Sequence, residues 1–219
     1  MSIKLFDGIH EKILEISRKH FLENGYERTS IRTLCKDVGI TTGLFYQHFP
    51  DKSALFSELV EEAAIGLKHL LRTQLEKVRE LTVECPDNFY KEHYLYDVPI
   101  MLSYIYTHIE EFRLIACSKR DRFRKFICDL SGIELEYSKR IAVDIRIKEP
   151  LSLDMLFFIH LSFYTGLFEA VVHNIPKDEI ETFVEPFTQY YIAIWNSFIK
   201  NLKGLDLNVI GKCQMVKRL

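Results

Sequence analysis

Residues 39–52 read GITTGLFYQHFPDK. A glycine precedes two threonines, an aromatic-rich run and then Pro-Asp-Lys. The run from Thr41 to His48 is too short to hold as an isolated helix, so its order has to come from neighbours. Upstream, Ile31, Leu34 and Val38 recur at helical spacing behind Ser30, a residue type favoured as an N-cap. The spacing predicts a helix from about Ser30 to Gly39, a tight glycine turn, and a third short helix with Thr41 as its N-cap. Leu34, Val38, Ile40 and Phe45 supply apolar anchors around that turn, and Cys35 is small enough to sit where two helices cross. Before them, Ile9, Ile13, Ile16 and Phe21 lay one apolar face along a first helix from about Phe6 to Asn24. Asn24-Gly25 closes it, glycine accepting the left-handed conformation of a C-cap. Three short helices around a glycine turn are the arithmetic of a helix-turn-helix.

That packing leaves one face of the third helix outward, with Thr42, Gly43, Leu44, Tyr46, Gln47 and His48 as its candidates. A helix of this width enters the major groove of double-stranded DNA, where base edges differ in donors and acceptors. Gln47 matches an adenine edge with two hydrogen bonds. Thr42 offers a hydroxyl and a methyl, Leu44 a contact to a thymine methyl, and Gly43 a close backbone approach. Tyr46, His48, Lys52 and Arg32 suit phosphate oxygens, which hold register while base contacts select sequence. Ser30 and Thr41 stand at helix starts, and backbone N–H groups at the starts of the second and fourth helices can donate to phosphate oxygens. The expected DNA-contacting set is therefore Ser30, Arg32, Thr41, Thr42, Gly43, Leu44, Tyr46, Gln47, His48 and Lys52.

The whole chain of 219 residues has a net charge of −2 and is rich in rings, with 16 Phe and 11 Tyr. Bulk charge does not announce a nucleic-acid partner, and the first 55 residues carry only eight Lys/Arg against seven Asp/Glu. Five cysteines at 35, 85, 117, 128 and 213 form no CxxC, so neither a zinc site nor a disulfide framework is expected. Reduced thiols and the absence of a signal-type N-terminus predict a cytoplasmic chain. The apolar stretch 151–175 is interrupted by Asp154, His160 and Glu169, which are costly in lipid. It reads as a buried core helix, and no membrane partner is expected.

Helical patterns dominate the rest. Breaks at Asn24-Gly25, Gly39, Pro50, Cys85 to Asn88, Ser131-Gly132, Glu149-Pro150, Asn174 to Pro176 and Lys203-Gly204 delimit about nine helices. Phe56, Val60, Ala63, Leu67, Leu70, Gln74, Val78 and Leu81 step by three or four, implying one connecting helix over 51–82. Pro99 marks a helix start or a kink. The expected fold is all-α: a helix-turn-helix domain over 1–50 and a larger helical domain over 51–219.

The segment YERTSIRTLCKDVGITTGLFYQHFPDKSAL, residues 26–55, resembles the N-terminal domain of tetracycline-repressor-type (TetR/AcrR) regulators. Gly25-Tyr26, Thr29-Ser30, Ile31, Gly39-Ile40, Gly43, Phe45-Tyr46, His48-Phe49, Lys52 and Leu55 carry the likeness. Cys35 replaces a usual alanine, and Thr42 stands where lysine is common. The resemblance implies a transcriptional regulator, most often a repressor. It implies a homodimer on a palindromic operator, released by a small-molecule effector bound in the larger domain.

Within that larger domain Ser162, Gly166 and Ala170 recur every four residues, and Phe183, Phe187, Tyr190, Tyr191, Ile194, Trp195 and Phe198 form a broad aromatic face, with Phe187, Tyr191, Ile194 and Phe198 at its centre. Together they are the expected dimer interface, unless both stripes pack only within one chain. Tyr104, His108, Arg113, Phe126, Phe163 and Phe168 place polar groups among apolar walls and are the expected ligand-binding set. Tyrosines that bury with one hydroxyl bonded explain the same pattern. The scattered histidines do not argue for a metal, and no cofactor motif appears. No nucleophile elbow, phosphate loop or paired catalytic motif points to an enzyme. An all-helical carrier or enzyme remains the alternative class, as does a regulator answering to a protein partner or to no effector.

Overall fold

The computed structural model describes residues 3–84, 97–144 and 153–203; side chains are described over 8–80, 97–144, 153–180 and 182–194. The described residues are all-α. They form nine helices: α1 (Ile3–Asn24), α2 (Ile31–Val38), α3 (Thr42–His48), α4 (Lys52–Glu84), α5 (Val98–Thr107), α6 (Ile109–Ala116), α7 (Arg120–Asp144), α8 (Leu153–Val172) and α9 (Ile180–Lys203). The expectations at Leu81, Cys85, Trp195, Phe198 and Cys213 fall outside the described residues or side chains.

The caps explain the boundaries at the N-terminal end. Ser30 Oγ accepts the Thr33 N–H at 3.1 Å and starts α2. Gly39, at φ 80°, ends it with its N–H bonded to the carbonyls of Cys35 and Lys36. Ile40 N–H reaches Cys35 O at 2.9 Å, so two orphan carbonyls are satisfied in one turn. Thr41 Oγ1 then accepts the Leu44 N–H at 3.2 Å and starts α3. Asp51 Oδ1 does the same for Ala54 at the start of α4, at 2.8 Å. Pro99 occupies the first turn of α5, where its missing N–H costs nothing.

One expected break is absent. Gly132 lies inside the continuous helix α7. A mid-helix glycine costs roughly 1 kcal/mol, and burial of Leu130 and Ile133 on either side outweighs it at about 1.5–3 kcal/mol per side chain. Conversely, between the expected breaks at Asn88 and Ser131 the helix is interrupted at His108, separating α5 from α6.

The chain divides into two compact units. One holds Met1–Gly66 with His108–Phe126; the other holds Leu67–Thr107 with Ile127–Leu219. Helices α4 and α7 run through both. In the first unit Phe21, Tyr26 and Phe56 form a ring cluster with centroids 5.2–5.6 Å apart. Ile13, Leu34, Phe45, Phe49, Leu55 and Phe112 fill the space around it. Segment 108–126 is fastened to this unit by Arg18 with Glu110 and Glu111, and by Lys119 with Glu27 at 3.0 Å.

In the second unit, α8 is long and apolar enough by composition to cross a membrane. Here it is a core helix, burying Leu156, His160, Phe163, Tyr164, Leu167, Phe168, Ala170 and Val171. Phe187 of α9 stacks on Phe163 at 5.5 Å and 18°. Lys68 pairs with Asp129 and Arg79 with Asp144, tying α4 to α7 at 2.5 and 2.6 Å.

Candidate nucleic-acid interface

Helix α3 has seven residues and buries one of them fully, Phe45. Phe49 follows it into the core, and the two rings lie 5.8 Å apart. These two anchors fix the rotation of α3. Thr42, Gly43, Tyr46 and Gln47 then fall on the exposed side, and Leu44 is half-buried. Tyr46 is 55% exposed, with its ring edge-on to Phe45, so a phenol is held out on a helix that cannot turn. Ser30, Arg32 and Thr41 are exposed as well. Their neighbourhood offers donors without any buried charge to overcome.

Two residues expected among the phosphate contacts make contacts inside the domain. Lys52 donates to the carbonyls of Tyr26 at 2.8 Å and Thr29 at 2.9 Å, and its Nζ lies 4.3 Å from the Tyr26 ring centroid. Burial lowers its pKa, with Glu27 opposing and Lys119 and Arg122 reinforcing that shift. An ammonium bonded to main-chain oxygens of Tyr26, Thr29 and, at 3.5 Å, Glu27 braces the turn after α1. His48 turns back onto α1, its Nδ1 3.3 Å from Nδ1 of His10. Burial, and then His10, lower the pKa of His48.

Cys35 is buried in α2, and burial raises its pKa. The thiol is therefore held further from the reactive thiolate than an exposed cysteine would be.

The six expected ligand residues do not form one cluster within either unit. His108, Arg113 and Phe126 belong with the first unit; Tyr104, Phe163 and Phe168 belong with the second. Phe126, Phe163 and Phe168 are core side chains. Sequence reasoning missed a polar network in the second unit. Glu134 of α7, 2% exposed, accepts from the Tyr164 hydroxyl and pairs with His160 Nδ1 of α8; Ser138 Oγ lies 3.3 Å from His160 Nε2. Its trace in the sequence was His160 and Tyr164, four residues apart on an apolar helix and hence on one face.

The expected dimer stripe is largely taken up within the chain. A Cβ at Gly166 would overlap the Phe187 ring, Ala170 is fully buried, and Tyr191 donates to Ser162 Oγ at 2.8 Å. Ile194 is half-buried. The small residues admit α9 of the same chain, because α8 and α9 are sequence neighbours joined by a short turn. Among the described side chains of these helices, the exposed rings are Phe158 and Tyr190, each 62% exposed, and Phe183; the last two belong to the expected aromatic face.

The family model for bacterial regulatory proteins of the tetR family matches residues 13–59. Over 58 residues the chain is 41% identical to an HTH-type transcriptional regulator AcrR of Shigella flexneri, covering 26% of this chain and 27% of that one. Over 61 residues it is 43% identical to an HTH-type transcriptional repressor AcnR of Corynebacterium diphtheriae, covering 28% and 32%. The match thus spans about a third or less of these relatives' length. Their names are those of transcriptional regulators, not of enzymes. A Mesorhizobium loti protein assigned to the TetR-family regulators shares the fold over 89% of this chain and 98% of its own, at a TM-score of 0.52 and 13% identity.

Proposed function

We propose that this chain, a tetR-family regulator by its N-terminal domain, represses transcription by binding a palindromic operator as a homodimer. The observation that carries the reading is the exposed Thr42, Gly43, Tyr46 and Gln47 face of α3, on a helix whose rotation Phe45 and Phe49 fix. Gln47 would read an adenine edge, and Tyr46, Arg32 and the starts of α2 and α3 would hold phosphates. Two-fold symmetry in the protein matches two half-sites in the duplex.

The exposed rings of α8 and α9 support pairing with a second copy, since association would take their apolar surface out of water. A small, largely apolar or aromatic effector is the proposed release signal. The buried Glu134–His160–Tyr164 network supplies polar groups amid the apolar second unit, as ligand recognition requires. An effector shifts the DNA-bound population only by its differential affinity for the two states.

Genome-wide capture of bound DNA, followed by gel shift on the enriched sequence, tests this. A palindrome retained by the intact protein, and released from a Gln47→Ala variant with altered base preference, is the expected result. A chain that stays monomeric and retains no duplex at low salt overturns it.

A further inference from the structure

Helix α7 opens against electrostatic expectation. Lys119, Arg120, Arg122, Arg124 and Lys125 crowd its start, with Asp121 the lone acid among them. A helix N-terminus disfavours cations, and Arg120 and Arg124, four residues apart, repel one another on one face. Something outside the helix has to compensate such an arrangement, and the placement of the segment shows where.

Arg122 faces inward. Its Nη2 donates to Ser53 Oγ at 2.5 Å and to the Tyr26 hydroxyl at 3.3 Å, and its guanidinium lies 4.3 Å from the Tyr26 ring and 4.7 Å from that of Phe56. Phe126, one turn on, is buried beside Phe112. These two anchors turn Arg120, Arg124 and Lys125 to solvent, where all three are exposed. Among the described residues they form no ion pair. Ser53 is in the first turn of α4, and Tyr26 opens the turn that leads to Ser30, the N-cap of α2. The basic face is therefore pinned beside two helix starts in the unit that carries α3.

We propose that Arg120, Arg124 and Lys125 form a second phosphate-contacting surface, engaging the backbone of duplex DNA that flanks the base-reading site. This rests on the DNA-binding reading above and extends its footprint to a part of the chain far along the sequence. An ordinary solvated charge run needs no anchor. Here Arg122, itself a cation, is committed inward to hold the run in place. Contacts of this kind add affinity without sequence preference.

The test compares the intact protein with the triple variant Arg120→Gln, Arg124→Gln, Lys125→Gln. Two duplexes are used: one just spanning the captured palindrome, and one extended by about one helical turn at each end. On the extended duplex the triple variant is expected to bind about tenfold or more weakly at moderate salt, with the slope of log K against log salt reduced by about 2–3. On the short duplex the two proteins should match, and Arg120→Lys with Arg124→Lys should keep the full slope. Equal slopes on the extended duplex overturn the proposal, as does an equal loss on both duplexes. If the intact protein retains neither duplex, the DNA-binding reading fails with it.

Discussion

Nδ1 of His48 lies 3.3 Å from Nδ1 of His10, and Nε2 of His10 lies 2.5 Å from a Glu58 carboxylate oxygen. The directions follow from the carboxylate, which only accepts. His10 donates from Nε2, so in the neutral pair its Nδ1 accepts the Nδ1–H of His48. A proton on His10 Nδ1 would set two N–H groups against each other. The titratable groups at His48 are thus His10 from α1 and, behind it, Glu58 from α4, with the Phe49 ring stacked on His10 at 4.8 Å. The relay holds the end of α3 to two other helices.

Acid should loosen that brace. The folded His48 pKa lies below its usual 6.5, through burial first and His10 second. The unfolded chain therefore takes the proton first as pH falls. The contribution of His48 is complete above about pH 6.5 and is lost as pH drops through the lower folded value. Urea midpoints measured from pH 8 down to 5 should fall for the intact protein, and fall less for His48→Gln. Parallel profiles for the two would show that the relay carries no proton linkage.

Lys52 is expected to act on stability before it acts on DNA. Replacing it by Met removes the donor from the Tyr26 and Thr29 carbonyls and should cost about 1–3 kcal/mol in denaturant unfolding. The salt slope of DNA binding, corrected for folded fraction, should stay unchanged. A slope reduced by about one would restore Lys52 to the phosphate contacts.

At Gly166 the close approach that the spacing implied is made by α9 of the same chain. Phe187 lies against the glycine while stacked on Phe163 and edge-on to Tyr191, with centroids 5.5 and 4.8 Å away. Gly166→Ala forces the ring to move and should destabilise the chain by about 1–3 kcal/mol. The loss should be the same at low and high protein concentration. A loss that disappears on raising the concentration would place the contact between subunits.

What was legible was local. Ser30, Gly39 and Thr41 each act within four residues of themselves, so spacing alone exposed the caps, the turn and the free face of α3. What was not legible depends on partners far along the chain. Lys52 meets Tyr26, His48 meets His10, and Arg122 meets Ser53, separations that no periodicity encodes. Gly132 misled for the reverse reason: a local breaker was overruled by burial on both sides. The basic run at 119–125 is present in the sequence as composition, but only packing of Arg122 against Tyr26 and Phe56 sets it beside the starts of α2 and α4.

The network around Glu134 makes the sharpest stability prediction. Glu134 and His160 are each 2% exposed, and the carboxylate is held by both the imidazole and the Tyr164 hydroxyl. Removing one member of a buried pair strands the other, at about 3–5 kcal/mol, whereas deleting a hydroxyl alone costs about 1–3 kcal/mol. His160→Leu should therefore destabilise the chain more than Tyr164→Phe. Combining His160→Leu with Glu134→Met should recover much of the loss, because no stranded charge remains. Chemical denaturation of the intact protein, His160→Leu, Glu134→Met and the double variant gives the coupling directly, with Tyr164→Phe measured alongside. A double variant no more stable than the sum of its parts would show that the two side chains act independently, and that the pair does not organise the second unit.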